Sequence, residues 1–404
     1  MKVWQWISMF STVVLLVVWQ SSNAPGASVS GRSSTVFEWF STAEDETAIP
    51  VYQYLLLNVK DLDGKGLNFR GYGRLAEDLN NEVDADSRLY YAYLGKQEVL
   101  KNLDFRAGRQ FISTTAGATV MDGLLLNYRN LGPLRLDFFG GGDVAYYEGY
   151  NSSDLIFGAE ISGHFFRSLD LGLSYIQKRD EDYLAHELLG FDLDYNYKNW
   201  INVYSETQFN NLTNNVSYFL GGVKYHKSPK WSLRGQYFYS LPVFSSTSIY
   251  SVFAVYEYEE LSTELDYNIR TGLRAFISYT QEMYEEFDNA DVFELGVEKI
   301  RTKRCSGYLT GIFRNDSEGQ DLMGVKVRGA YLFNKYVDAG VGVHVDVIER
   351  RIDYDDDEST SSRYWVYATG YITKKVNVQV KVERVESDLW DEYYGGRVRF
   401  NILF

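Results

Sequence analysis

The last eleven residues, Tyr394 to Phe404, constrain the chain most. Counting back from the terminal aromatic, Phe404, Ile402, Phe400, Val398 and Tyr394 fall on one side, and Leu403, Asn401, Arg399, Arg397 and Gly395 on the other. An extended chain points successive side chains to opposite faces, so this segment is a strand with one greasy face and one mostly polar, basic face. The same alternation recurs upstream. Leu67, Phe69 and Leu75 alternate with Asn68, Arg70 and Arg74, and Leu265, Tyr267 and Ile269 with Glu264, Asp266 and Asn268. Phe293, Leu295 and Val297 alternate with Glu294 and Glu298, and Val376, Val378, Val380 and Val382 with Asn377, Gln379, Lys381 and Glu383. A period of two sustained from residue 50 to 404 describes strands between two different environments.

A soluble sandwich or propeller would alternate too. Two features favour a bilayer. The segments run to about ten residues, the length that crosses a membrane when tilted. Aromatic residues make up 16% of the 404 positions, 34 of them Tyr, and Tyr and Trp settle at the headgroup level. A mean hydropathy of −0.29 is compatible with this, because the inward half of a barrel wall can be polar. Downstream of the N-terminal segment no stretch is apolar for 18 residues, so a chain of this sequence that spans a membrane must satisfy its backbone in a closed sheet. The expected fold is therefore all-β, a closed antiparallel up-and-down transmembrane β-barrel of about 22 strands, with 18 to 22 as the range.

Residues 1–24 read as a secretory signal, with Lys2 ahead of an apolar core around Val13–Val18 and small residues at Ser22-Asn23-Ala24. Pro25 disfavours cleavage directly after Ala24 and moves the expected cut toward Ala27. Residues 25–49, with Phe37, Trp39 and Phe40, are either a periplasmic leader or a first strand, and a leader is expected. The barrel is placed at 50–404. Approximate strand positions include 50–60, 66–76, 118–130, 247–258, 260–270, 362–374 and 393–404. Between 200 and 262 the sequence leaves the sides open, because Lys227-Ser228-Pro229-Lys230 and Leu241-Pro242-Val243-Phe244 can exchange roles as turn and loop. Elsewhere, short turns such as Asn334-Lys335-Tyr336 and Thr373-Lys374-Lys375 alternate with longer acidic stretches: Tyr284–Asp291, Asp316–Asp321 and Ile352–Ser362. With both ends in the periplasm, the acidic loops fall outside.

Charge and motifs exclude several functions. A net charge of −15 argues against nucleic acid as partner. Cys305 stands alone, so no intrachain disulfide forms, and without CxxCH the chain attaches no c-type haem itself. His164, His186, His226 and His344 form no metal-spaced set, and no GxSxG or P-loop is present, so neither enzyme activity nor cofactor is expected. The acidic run Asp355–Glu358 lacks the spaced ligands and glycine of a calcium loop.

The inward face expected from alternation carries Arg70, Arg74, Arg88, Arg106, Arg129 and Arg135 early, and Glu264, Asp266, Glu294 and Glu298 late, with Lys326, Arg328, Arg397 and Arg399. If first and last strands pair, the arginines form a basic wall at the seam. Such charges line a pore and tune ion selectivity, or they neutralise one another across neighbouring strands.

The terminal alternation ending on Phe404 resembles the closing strand of bacterial outer-membrane β-barrels. The Phe105-Arg106-Ala107-Gly108-Arg109-Gln110 segment, followed by Asp122-Gly123, resembles large monomeric porins. The resemblance implies an outer-membrane location in a Gram-negative bacterium, with outer-membrane lipid and lipopolysaccharide as neighbours. It implies that Val398, Phe400, Ile402 and Phe404 are the insertion signal read by the barrel-assembly machinery. It implies a water-filled channel for passive diffusion of small hydrophilic or charged solutes, including ions. Arg109 departs from the pattern, because it shares the face of Phe105 and Ala107. A second segment, Ser240–Phe253, resembles barrels of porin–cytochrome conduits. The alternative it implies is a sheath holding multihaem c-type cytochromes across the outer membrane.

Overall fold

The computed structural model describes residues 27–404 except 45, 146–148, 182, 244–255, 287, 317–320, 353–354 and 388–389. The signal segment 1–24, most of the expected strand 247–258 and most of the cytochrome-conduit-like segment lie outside the described residues.

Every described element is a strand. The first are β1 (Ser28–Ser41), the two-residue β2 (Thr47–Ala48), β3 (Pro50–Lys60), β4 (Leu67–Asp78), β5 (Arg88–Leu100) and β6 (Leu103–Thr114). Then come β7 (Gly117–Leu131), β8 (Leu134–Ala145), β9 (Gly149–Phe165), β10 (Leu169–Asp180), β11 (Tyr183–Tyr197) and β12 (Ile201–Asn210). They are followed by β13 (Asn215–Tyr225), β14 (Trp231–Ser240), β15 (Tyr258–Arg270), β16 (Leu273–Tyr284), β17 (Ala290–Lys299) and β18 (Cys305–Asp316). Last are β19 (Leu322–Asn334), β20 (Val337–Ile352), β21 (Asp355–Tyr371), β22 (Val376–Ser387) and β23 (Trp390–Leu403).

All belong to one sheet. β1 lies between β3 and β23, with Thr35 opposite Gln53 on one side and Phe400 on the other. Gly31 and Phe404 exchange both backbone hydrogen bonds, at 3.1 and 3.2 Å. Pairing the first strand with the last leaves no frayed edge, and the fold is a closed antiparallel β-barrel of 22 long strands.

The leader assignment for 25–49 is corrected here: Ser28–Ser41 is a strand of the wall, and the barrel begins at residue 28 rather than 50. Ser28, Ser30, Arg32, Ser33, Ser34 and Thr35 put polar groups on both faces, so period-two reading is blind there. Backbone pairing to both neighbours decides the conformation instead. Most of the expected strand 247–258 lies outside the described residues, and β15 begins at Tyr258. Among the described residues β1 is one of the 22 long strands. Lys227–Lys230 is the turn from β13 to β14, and β14 ends at Ser240. Asp355–Glu358, expected in a loop, is the first turnless part of β21.

The chain divides into two compact units: 1–110 with 330–342 and 363–404, and 111–329 with 343–362.

Candidate functional site: the inner faces of the two units

In the second unit the inner face is partly covered by its own hairpin. β6 and β7 are joined by only Thr115 and Ala116, and this tip bonds to three other strands. The Ala116 amide donates to Ser174 Oγ of β10 at 2.8 Å, and Gln208 Nε2 of β12 donates to the Ala116 carbonyl at 2.8 Å. Thr115 Oγ1 donates to Asp192 Oδ1 of β11 at 2.8 Å. Ser217 Oγ donates to Gln208 Oε1 at 2.7 Å and orients that amide. On β11 the tip backbone lies against Gly190, where a Cβ would strike Thr115 and Ala116. Nearby, Lys178 Nζ donates to Thr119 Oγ1 at 2.9 Å and pairs with Asp143 at 3.2 Å.

The tip packs into an apolar patch: Ala116 is buried together with Ile112, Met121, Leu125, Phe139, Ile156, Ile176 and Leu188. Each large side chain buried here contributes ~1.5–3 kcal/mol, against ~0.5–1.5 for a hydrogen bond. Apolar burial therefore supplies most of the docking energy, and the hydrogen bonds set the position. An inner face of wet residues was expected throughout; on β7 to β11 it is locally apolar. Alternation misses this because both faces are apolar at Leu124-Leu125-Leu126, Phe138-Phe139 and Leu155-Ile156-Phe157. Such double-faced runs were the available signal for something covering the inner wall.

Many charged residues of this unit neutralise one another. Arg234 pairs with Glu264 at 2.6 Å, and Arg274 bridges Asp266 at 2.9 Å and Glu298 at 2.8 Å. Arg135 pairs with Asp137 at 2.7 Å, and Arg314 with Glu282 at 3.1 Å. Glu294 lies in the row of Glu264, one strand beyond Ser278, and no cation stands within ion-pair reach among the described residues. Arg129 shares the face of Asn127. Lys326 and Arg328 on β19 alternate with the exposed Val325 and Val327.

The first unit is built differently. Register puts Arg32 opposite Leu403, Val36 opposite Arg399 and Glu38 opposite Arg397 on one face. Phe37, Val398, Phe400 and Ile402 occupy the other, while Phe404 closes over Gly31. Among the described residues, Arg32, Arg70, Arg397 and Arg399 have no carboxylate within ion-pair distance, and Arg399 Nε finds no acceptor although buried. Tyrosine rings flank them: Tyr54, Tyr72 and Tyr90 stack with centroids 6.3 and 4.8 Å apart. Arg74 lies 5.1 Å over Tyr52, and Arg106 5.8 Å over Tyr93. Arg88 stands opposite Arg74. This tyrosine ladder was not singled out by the sequence, because Tyr90 and Tyr91 straddle a register shift that hides which ring points in. Arg109 shares the face of Ala107, opposite Ala92 and away from the basic wall.

Alternating faces, a seam joining first and last strands and charged inner walls are the features of one architecture. The chain has the fold of a bacterial outer-membrane β-barrel. Among solved structures it is similar to the P pilus usher (PapC) translocation pore, with a TM-score of 0.52 and 9% identity over 93% of this chain and 99% of that one. It is also similar to a BenF-like porin from Pseudomonas fluorescens Pf-5, with a TM-score of 0.46 and 10% identity over 94% and 99%. For Pseudomonas aeruginosa OccK3 (OpdO) the values are 0.43 and 9% over 96% and 98%. No protein-family model and no curated protein matches the barrel.

Proposed function

We propose that this barrel is an outer-membrane porin that lets small hydrophilic, charged solutes and ions diffuse passively. The observation that carries the reading is the set of inward arginines, Arg32, Arg70, Arg397 and Arg399, left without carboxylate partners. A cation stripped of a counter-charge is costly in a structural wall, and is retained where mobile anions supply the missing charge. Arg74, Arg88 and Arg106 extend this wall, and the docked Thr115–Ala116 tip narrows the path on the second unit. On this reading residues 1–24 are a cleaved signal, and Val398, Phe400, Ile402 and Phe404 present the face read by the insertion machinery. The test is a planar bilayer containing the purified chain alone. Stepwise conductance, with a reversal potential in a salt gradient that reports anion preference, is the expected result. A bilayer that stays silent at every voltage refutes the proposal.

A further inference from the structure

The outer face of the second unit carries opposite charge chemistry at its two ends. At the short-turn end of β11 to β15, five aromatic rings run in a line. Tyr195 and Tyr197 are 6.5 Å apart, Tyr197 and Trp200 5.6 Å, Trp200 and Tyr225 5.6 Å, and Tyr225 and Trp231 5.2 Å. Tyr267 follows Trp231 across the β14–β15 pair. Tyr195, Tyr197, Tyr225, Trp231 and Tyr267 lie on the face turned away from the docked hairpin. Lysines sit on this belt: Lys198 Nζ is 4.9 Å from the centre of the Tyr197 ring, and Lys227 Nζ 5.3 Å from that of Trp200. Lys230 ends the same turn. Among the described residues none of the three has a carboxylate within ion-pair distance.

At the other end of the same sheet the tyrosines meet carboxylates instead. Tyr237 donates to Glu259 at 2.8 Å, Tyr239 to Glu257 at 2.9 Å and Tyr279 to Asp291 at 2.7 Å. An aromatic belt needs no particular charge to sit at a headgroup, so the lysines are the informative part.

We infer that the Tyr197–Trp200–Trp231 belt with Lys198, Lys227 and Lys230 is a binding surface for anionic glycerophospholipid headgroups at the short-turn end of the barrel. The rings hold the glycerol and upper acyl region, and the ammonium groups hold the phosphate. Charge complementarity selects this occupant: among the described residues the belt offers cations without carboxylate partners, and the carboxylate-bearing end of the sheet repels the same lipid. The inference rests on the barrel spanning a bilayer, not on what passes through it.

The test uses the full chain in micelles containing equal phosphatidylglycerol and phosphatidylcholine, with retained lipid counted by native mass spectrometry. Phosphatidylglycerol is expected to exceed phosphatidylcholine by about fivefold or more, since each lysine near a lipid surface is worth roughly that factor. K198Q/K227Q/K230Q should abolish the preference, and K198R/K227R/K230R should keep it. The control variant K65Q, in a turn of the first unit, should leave it unchanged. Equal retention of both lipids by the unsubstituted chain, or an unaltered preference in the glutamine variant, overturns the inference. Circular dichroism reports whether the variants hold their strands, and conductance of the same samples reads the channel function separately.

Discussion

The inner faces of the two units treat charge differently at the seam strands, although in the first unit Arg363 and Lys381 also pair with Glu383. In the second, Lys178, Arg135, Arg234, Arg274 and Arg314 lie against carboxylates, as Arg274 does between Asp266 and Glu298, and the apolar part is roofed by the β6–β7 tip. In the first, Arg32, Arg70, Arg397 and Arg399 keep their charge uncompensated beside stacked tyrosines. The difference teaches that a charged inner wall is not one thing. Paired charges are masonry, since removing one partner leaves the other stranded, whereas unpaired charges are available to a solute.

The sharpest way to break the comparison is to unroof the second unit. A Gly190→Leu side chain would occupy the space of the tip backbone, and single-channel conductance should rise roughly twofold or more as the tip leaves the wall. Unchanged conductance would mean the tip does not limit flow. Next in size, Ile176→Ala removes packing under the tip and should cost ~2–5 kcal/mol in denaturant unfolding of the folded barrel. Arg397→Gln in the first unit should stay within ~0.5 kcal/mol, and an equal loss in both would erase the distinction between packed and available wall.

Selectivity sharpens it further. Replacing Arg397 and Arg399 together by Gln should lower the anion-to-cation permeability ratio about twofold in reversal-potential measurements, while Glu294→Gln should raise it slightly. Shifts of the same sign from both would sink the assignment of the two faces.

The smallest effect expected is in the turn between β3 and β4. The Leu67 amide, then the Lys96 ammonium at 2.9 Å and the Lys65 amide, hold the Asp63 carboxyl well below the usual carboxylate range. A depressed folded pKa stabilises above the unfolded value near 3.8 and is lost as pH falls through the folded one. Asp63→Asn should therefore lower the unfolding midpoint at pH 7, and the gap to the unsubstituted chain should close in strong acid. A gap that persists there would show that the effect is not electrostatic.

Legibility in the sequence followed physical asymmetry. Where one face is greasy and the other charged, as at Phe293 to Glu298, strand and face are both readable, and the arginines at 397 and 399 lie opposite Phe400 and Ile402 as alternation demands. Where both faces are polar, as in Ser28–Thr35, alternation does not distinguish a strand from a leader. Where both are apolar, as at Leu155-Ile156-Phe157, the strand was visible but its inward half was not. Ion pairs such as Arg234 with Glu264 were open in the sequence, because partner choice depends on register across strands.

By itself the sequence determined an all-β chain, two-faced strands and a final segment with its greasy side opposite Arg397 and Arg399, because a two-residue period is a local property of side-chain direction. Only the tertiary structure decided that β1 completes the wall, that Thr115 and Ala116 fold onto β10 to β12, and which charges are left unpaired. The seam and the docked tip depend on hydrogen bonds between residues as far apart as 367 and 58 positions, and no local pattern carries such distances.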